Sequence, residues 1–160
     1  MKIDADERSF THIRLLAGHT PEGGPVYEGL PAATTGQDEY EVLGSPGLTY
    51  GFAAGDRIRL ATDGTFEVLE RGGNLCARLY PAEPPSDEAV NQLISSFEPL
   101  NGHVEMPRDR RFIVITAPLT TGFHPVANAV DTWIANHPCP WEFANVYDDD
   151  GNFLSWCTTP

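Results

Sequence analysis

The stretch from Tyr40 to Tyr80 constrains the fold more than any other part of this chain. Short runs of alternating apolar and polar residues are cut at Ser45-Pro46-Gly47, Gly55-Asp56, Asp63-Gly64 and Gly72-Gly73. Runs this short between turn-forming residues do not suit helices; they suit strands that fold back on one another. Glu39 to Leu43 places Tyr40 and Val42 on one face and Glu39, Glu41 and Leu43 on the other. Arg57 to Leu60 and Thr65 to Glu70 alternate likewise around Asp63-Gly64, a strong hairpin signal. Leu75, Ala77 and Leu79 oppose Cys76, Arg78 and Tyr80 in the next run. A first strand over Phe10 to Leu16, a short one over Val26 to Leu30 and a polar connection over Pro31 to Asp38 precede these. The expected first half, residues 1–73, is a small antiparallel barrel-like unit.

Pro81 to Pro85 is the clearest punctuation in the chain. Ser86 then has the chemistry of a helix N-cap, and Asp87 and Glu88 suit the positive end of a helix. Val90, Leu93, Ile94 and Phe97 follow at helical spacing, and Val126, Val130, Trp133 and Ile134 repeat the pattern further on. His103 to Met106, Phe112 to Ala117 and Trp141 to Tyr147 read as strands. Asp148 to Asn152 reads as a turn and Phe153 to Cys157 as a returning edge strand. The order β-α-β-β-α-β over residues 74–160 implies a ferredoxin-like half with a C-terminal hairpin, packed with the first half as one α+β unit.

Charge narrows the partner class. The 160 residues carry a formal net charge of −13. The acidity is spread, with −5 up to Tyr80 and −8 beyond it. Such a field repels phosphate backbones and anionic lipid and attracts basic proteins. Arg108 to Arg111 is the one basic cluster, too small for a nucleic-acid footprint, and Phe112 to Ile115 lacks the aromatic pattern of an RNA-recognition strand. No membrane span is expected, since no apolar run is long enough. MKIDADERSF lacks the apolar core of a signal peptide, so a cytoplasmic protein is expected. Cys76, Cys139 and Cys157 form no C-x-x-C motif and suit free thiols in a reducing compartment. Whether Cys139 and Cys157 approach each other is left open by the sequence.

The catalytic and cofactor motifs fail where they are tested. Asp148, Asp149, Asp150 and Asn152 open like a calcium loop, but Phe153 stands where glycine is needed and Thr159 where a bidentate carboxylate is needed. Asp150-Gly151 suits a hairpin turn instead. His12, His19, His103, His124 and His137 are scattered, with no local metal-ligand spacing. Ser45 lacks the glycine two residues earlier that a nucleophile elbow requires. Gly51, Gly55, Gly64, Gly72 and Gly73 punctuate strands and open no helix that would hold a phosphate. No cofactor is expected.

At Tyr40-Glu41-Val42-Leu43-Gly44-Ser45-Pro46-Gly47 and Tyr50-Gly51-Phe52-Ala53-Ala54-Gly55-Asp56, the chain resembles the bacterial domain-of-unknown-function 4265 family. The resemblance continues through Phe66-Glu67-Val68-Leu69 and Arg71-Gly72-Gly73-Asn74. It spans roughly Phe10 to Val146 and is strongest between Tyr40 and Arg78. It implies no activity and transfers no catalytic residue.

The resulting functional expectation is an acidic protein-binding module, such as an immunity protein or antitoxin that neutralises a basic toxin domain. Asp148, Asp149, Asp150, Trp141 and Trp156 are its candidate contacts, because aromatics anchor interfaces and acids steer encounter. A second expectation is a small-ligand binder or enzyme with a cleft between the halves, where Asp56, Arg57, His103 and His124 supply polar groups. A third is an oligomeric regulatory module joined through the edge at Phe153 to Cys157.

Overall fold

The structure is a computed structural model that describes residues 9–148 and 150–158. It is a mixed α+β arrangement of two antiparallel sheets and two α-helices. The first sheet is a meander: β1 (Phe10–His19), β2 (Pro25–Gly36), β3 (Glu39–Val42), β4 (Arg57–Leu60) and β5 (Phe66–Glu70) pair in chain order. The second contains β6 (Asn74–Leu79), β7 (His103–Glu105), β8 (Ile113–Pro118) and β9 (Trp141–Phe143), in the order β7-β8-β6-β9. Helices α1 (Asp87–Phe97) and α2 (Phe123–Ile134) pack on one face of it.

The first sheet does not close into the expected barrel. It curls until the β4–β5 turn meets β1, where Leu16 N–H donates to Gly64 O at 2.9 Å. Gly64 permits this approach: its φ is +90°, and a Cβ there would lie 2.9 Å from Leu16 N. The unequal strands explain the open seam. β1 and β2 have 10 and 12 residues, whereas β4 and β5 have 4 and 5, so the edges meet at one point only. Ile13, Leu15, Leu30, Val42, Phe52 and Ile58 fill the concave side. Each fully buried side chain of this size stabilises the fold by about 1.5–3 kcal/mol relative to exposure.

β1 runs on to His19, past the expected end at Leu16, and three further boundaries differ from the sequence reading. β2 runs straight through Pro31 to Gly36, which the polar composition marks as a connection. Pro31 has no N–H, yet its carbonyl accepts from Leu43 N at 2.9 Å, and Ala32 and Ala33 are small enough to be buried where the sheet curls. β9 stops at Phe143 instead of reaching Tyr147. Asn145 turns inward there: its Oδ1 accepts from Cys76 N at 3.0 Å and its Nδ2 donates to Asn74 O at 2.8 Å. One side-chain amide thus takes the place of a strand neighbour along the start of β6. Phe153 to Cys157 is no returning strand. It makes a single bridge, Tyr147 to Phe153, then tightens into a 3-10 turn at Ser155–Cys157. Trp156 Nε1 donates to Asn145 O at 2.7 Å, and Cys157 is buried against the helix-covered core.

Both helices form where their apolar stripes predict, and α1 carries its predicted cap. Ser86 accepts from Ala89 N at 3.2 Å, and Val90, Leu93 and Phe97 are buried. In α2, Val126, Val130 and Trp133 are buried, and Trp133 Nε1 ties the helices together by donating to Ala89 O at 2.8 Å. β6 is the centre of the second sheet. Leu75, Ala77 and Leu79 face the helices, while Cys76 and Arg78 face the opposite way and are buried as well.

What buries that second face is the long β3–β4 connection, residues 43–56. Ser45 and Thr116 hydroxyls lie 2.6 Å apart, and Arg78 reaches the carbonyls of Pro46 and Thr49. The chain itself crosses between sheets at Arg71-Gly72-Gly73, where a Cβ on Gly72 would fall 2.4 Å from the Gly55 carbonyl. No helix among the described residues is long and apolar enough to cross a membrane.

Candidate functional site

The site is built around the 43–56 connection, because it is the segment both sheets hold. From the first sheet, the Glu28 carboxylate gathers its backbone: Gly47 N, Leu48 N and Thr49 N donate to it at 2.7, 3.2 and 2.9 Å, and Thr49 Oγ1 at 2.7 Å. From the second sheet, Arg78 Nη1 donates to Thr49 O at 2.9 Å. Its guanidinium lies 4.2 Å from the Tyr50 ring centroid. Arg78 is 1% exposed, and its Nη2 is 3.7 Å from Glu142 Oε1. Tyr80 Oη donates to the other oxygen of Glu142 at 3.2 Å. Desolvation raises the Tyr80 hydroxyl above its ordinary pKa, so it remains a donor to the carboxylate.

Asp56 fixes the far end of the connection. Its carboxylate is fully buried and accepts from Ala53 N at 3.0 Å and Gly72 N at 2.8 Å. Arg71 Nη1 lies 3.4 Å from it and donates to Gly51 O at 2.7 Å. Burial raises the Asp56 pKa above the ordinary value near 3.8, against the lowering by its backbone donors and Arg71. Burial also pushes the Cys76 thiol up to about 12, which makes it an inert packing group.

Two concave regions open on either side of Tyr50. The first is a groove of about 590 Å³ lined by Tyr50, Trp141, Glu142, Phe143, Tyr147 and Asp148. Trp141 and Phe143 meet edge to face at 5.2 Å, and Trp141 Nε1 donates to Asp131 Oδ1 at 3.2 Å. Exposed Tyr147 and Phe153 pair at its rim, 5.7 Å between centroids. The second is a cleft of about 560 Å³ between β1 and β5, floored by Tyr50, Gly51 and Arg71. Asp148 and Leu154 close it at one side, so both halves contribute walls.

The structure brings only part of the predicted contact set together. Trp141 and Asp148 share the groove. Asp150 is exposed beside them, its backbone N–H donating to Asp148 Oδ1 at 3.0 Å. Asn152 N–H donates to the same oxygen at 2.8 Å, and these donors hold the Asp148 carboxyl below its ordinary pKa. Trp156 sits apart, 4.9 Å beneath the Arg71 guanidinium, as a support of the turn. Asp149 lies outside the described residues.

The four polar groups expected of a cleft are dispersed. Asp56 is sealed by its donors, and Arg57 is engaged by Glu39 at 3.0 Å and Glu70 at 3.6 Å. His103 is exposed on β7 and His124 is exposed on α2. None of the four lines the 560 Å³ cleft. Among the described residues, no group of three or more His, Cys, Asp or Glu could hold a metal ion. All three cysteines are free thiols; Cys139 and Cys157 both pack against the helix-covered core.

Sequence reasoning missed Tyr50, Glu142, Arg71 and Arg78 as the groups that shape the site. Arg78 did carry a signal. A charged residue inside the run Leu75 to Leu79 must either face solvent or be buried with partners, and the second case holds. Glu142 and Arg71 carried none, since one is an ordinary charge within a short strand and the other an ordinary charge just after one.

Fold and site together define a two-sheet α+β domain whose concave surfaces meet at one connecting loop. The chain belongs to the family of the domain of unknown function DUF4265, whose model matches residues 28–136. It is similar in fold to a solved structure titled a novel crystal structure of a hypothetical protein from Neisseria gonorrhoeae, with a TM-score of 0.66 at 10% identity. The similarity covers 85% of this chain and 94% of that one. No curated protein matches.

Proposed function

We propose that this chain is a protein-binding module without catalytic function, and that it docks a basic partner on the Tyr50–Trp141–Asp148 face. An immunity protein or antitoxin that covers a basic toxin domain works in this way. The observation that carries the reading is the groove itself: four aromatic rings and two carboxylates line one concave surface, with Tyr147 and Phe153 exposed at its edge. Aromatic side chains supply contact area at small entropic cost and accept cations on their faces. The surrounding acidity, −13 overall, raises association rates with a basic partner by about 10- to 1000-fold at low salt. Free thiols suit action in a reducing cytosol. The same reading takes the second half as ferredoxin-like, supported by its element order and by the antiparallel sheet order β7-β8-β6-β9.

The test is capture of partners from lysate of the source cells at low and high salt, with wild type and a Trp141→Ala/Asp148→Asn double variant. A basic protein held at low salt, released by salt and lost in the double variant is the expected result. Equal capture by both forms removes the groove from the interface.

A second reading is a small-ligand site in the 560 Å³ cleft, favoured by Arg71, a cation on its lining whose Nη1 bonds Gly51 O and lies beside Asp56. Phe153 to Cys157 offers no extended edge strand for assembly, since it makes one bridge at Phe153 and then a 3-10 turn over Ser155–Cys157.

A further inference from the structure

The cleft between β1 and β5 is the open seam of the first sheet. β1 and β5 are its two terminal strands, so each has a strand neighbour on one side only. β1 meets the turn that precedes β5 through the bond from Leu16 N to Gly64 O. Beyond that point Leu16 to His19 on one side and Thr65, Phe66 and Val68 on the other line the same cavity of about 560 Å³. Among the described residues, no other main-chain bond reaches the outer edge of either strand.

The hydrogen-bond phase of β5 identifies its free groups. Ala61 N donates to Thr65 O at 2.8 Å, which makes the next facing pair, Leu60 and Phe66, a non-bonded pair. Leu60 N accordingly points the other way, to Asp38 O at 2.8 Å. Alternation makes Ile58 and Val68 non-bonded too. The amides and carbonyls of Phe66 and Val68 therefore face the seam. Their side chains pack on the first core and are left half-buried, Phe66 meeting Phe52 edge to face at 5.0 Å. A strand edge with unpaired amides and half-covered apolar side chains is a template for another strand. The β1 wall from Leu16 to His19 runs for about 10 Å at ordinary strand rise, enough to guide a short extended segment.

We propose that this seam receives one extended strand of the partner protein, apolar at alternate positions and basic between them. Main-chain bonds to Phe66 and Val68 supply affinity, and the alternate apolar side chains complete the cover over Phe66 and Val68. The basic positions face outward into the field of the acidic chain. The proposal rests on the protein-binding reading above and assigns part of the contact to a different surface from the aromatic groove.

The probe is a fluorescein-labelled, capped octapeptide of alternating Lys and Val, read by anisotropy and by residue-resolved amide hydrogen exchange on the full chain. The expected result is saturable binding with at least tenfold slower exchange at Phe66 and Val68. The same peptide N-methylated at alternate amides keeps its charge and side chains but loses one edge of donors, and it binds at least tenfold more weakly. Val68→Lys, a charge pointing inward at the seam, has a comparable effect. The N-methylated peptide decides the matter even if that variant does not fold. Protection over Trp141 to Tyr147 without protection at Phe66 and Val68 overturns the seam and leaves the groove reading standing. Protection of the seam amides that rises with protein concentration and needs no peptide assigns the seam to a second copy and also overturns it. No binding at all overturns it, while the lysate capture separately decides whether the module binds a folded basic partner.

Discussion

The two sheets bury their apolar faces in opposite ways. β6 has strand neighbours on both edges, helices over one face and the 43–56 connection over the other. β5 has one neighbour, and its inward side chains Phe66 and Val68 remain half-buried at an open edge. The centre of the second sheet is thus closed in every direction, and the rim of the first is closed in all but one. Packing density sets the stability of a region, and an unfinished edge sets its availability to a partner. The difference leaves the rim of the first sheet open to a partner, while the centre of the second is covered on both faces and both edges.

The comparison breaks first if the second core tolerates a cavity. Trp133→Ala removes a buried indole and its bond to Ala89 O, and a loss of about 3–5 kcal/mol is expected in urea unfolding. A loss below 1 kcal/mol would show that the helices are not held by this core. Arg78→Ala tests the joint. It leaves the Thr49 carbonyl without its donor and the Tyr50 ring without its cation, and about 3 kcal/mol is the expected cost. Arg78→Met fills the same volume and is expected to recover part of that loss. If the joint is what couples the sheets, Arg78→Ala also separates the unfolding of the two halves by two spectroscopic probes.

Helix capping is a smaller test of the same half: Ser86→Ala is expected to lower stability by about 1 kcal/mol. On the exposed start of β1, Phe10→Ser is expected to change stability by less than about 0.5 kcal/mol. A larger loss there would mean that the rim of the first sheet is as closed as the centre of the second.

Acidity sharpens the contrast in sign. The Asp56 pKa is raised in the folded protein, chiefly by burial, so the folded state binds more protons than the unfolded state above the ordinary value near 3.8. Its favourable contribution is therefore complete below that value and is lost as pH rises through the folded pKa. The stability advantage of wild type over Asp56→Asn is expected to be largest near the low end and to shrink as pH increases, measured by urea midpoints across pH. Asp148, held low by the Asn152 N–H, behaves oppositely: its contribution is present above the ordinary value and fades as pH falls through the folded pKa.

The sequence was legible wherever a local rule sufficed. Alternation around Asp63-Gly64 located β4 and β5, and Ser86 with the Val90–Phe97 stripe located α1. The α+β class followed from these elements, and the resemblance over Tyr40 to Arg78 identified the family that the chain belongs to. Composition failed where a tertiary contact replaced a local preference. Pro31 stays in β2, where it faces His12 of β1 and its carbonyl bonds Leu43. β9 ends early because Asn145 bonds β6 with a side chain, which no periodicity records.

Turn chemistry, strand phase, helix caps and net charge were determined by the sequence alone, because each depends on neighbours within a few residues or on a simple sum. The open seam, the burial of Arg78 and Asp56, and the gathering of Tyr50, Trp141 and Asp148 were decided only by the tertiary structure. Strands of unequal length must be curled before their edges can fail to meet. A loop must cross from one sheet to the other before the groups it carries can be buried, paired or left to line a groove.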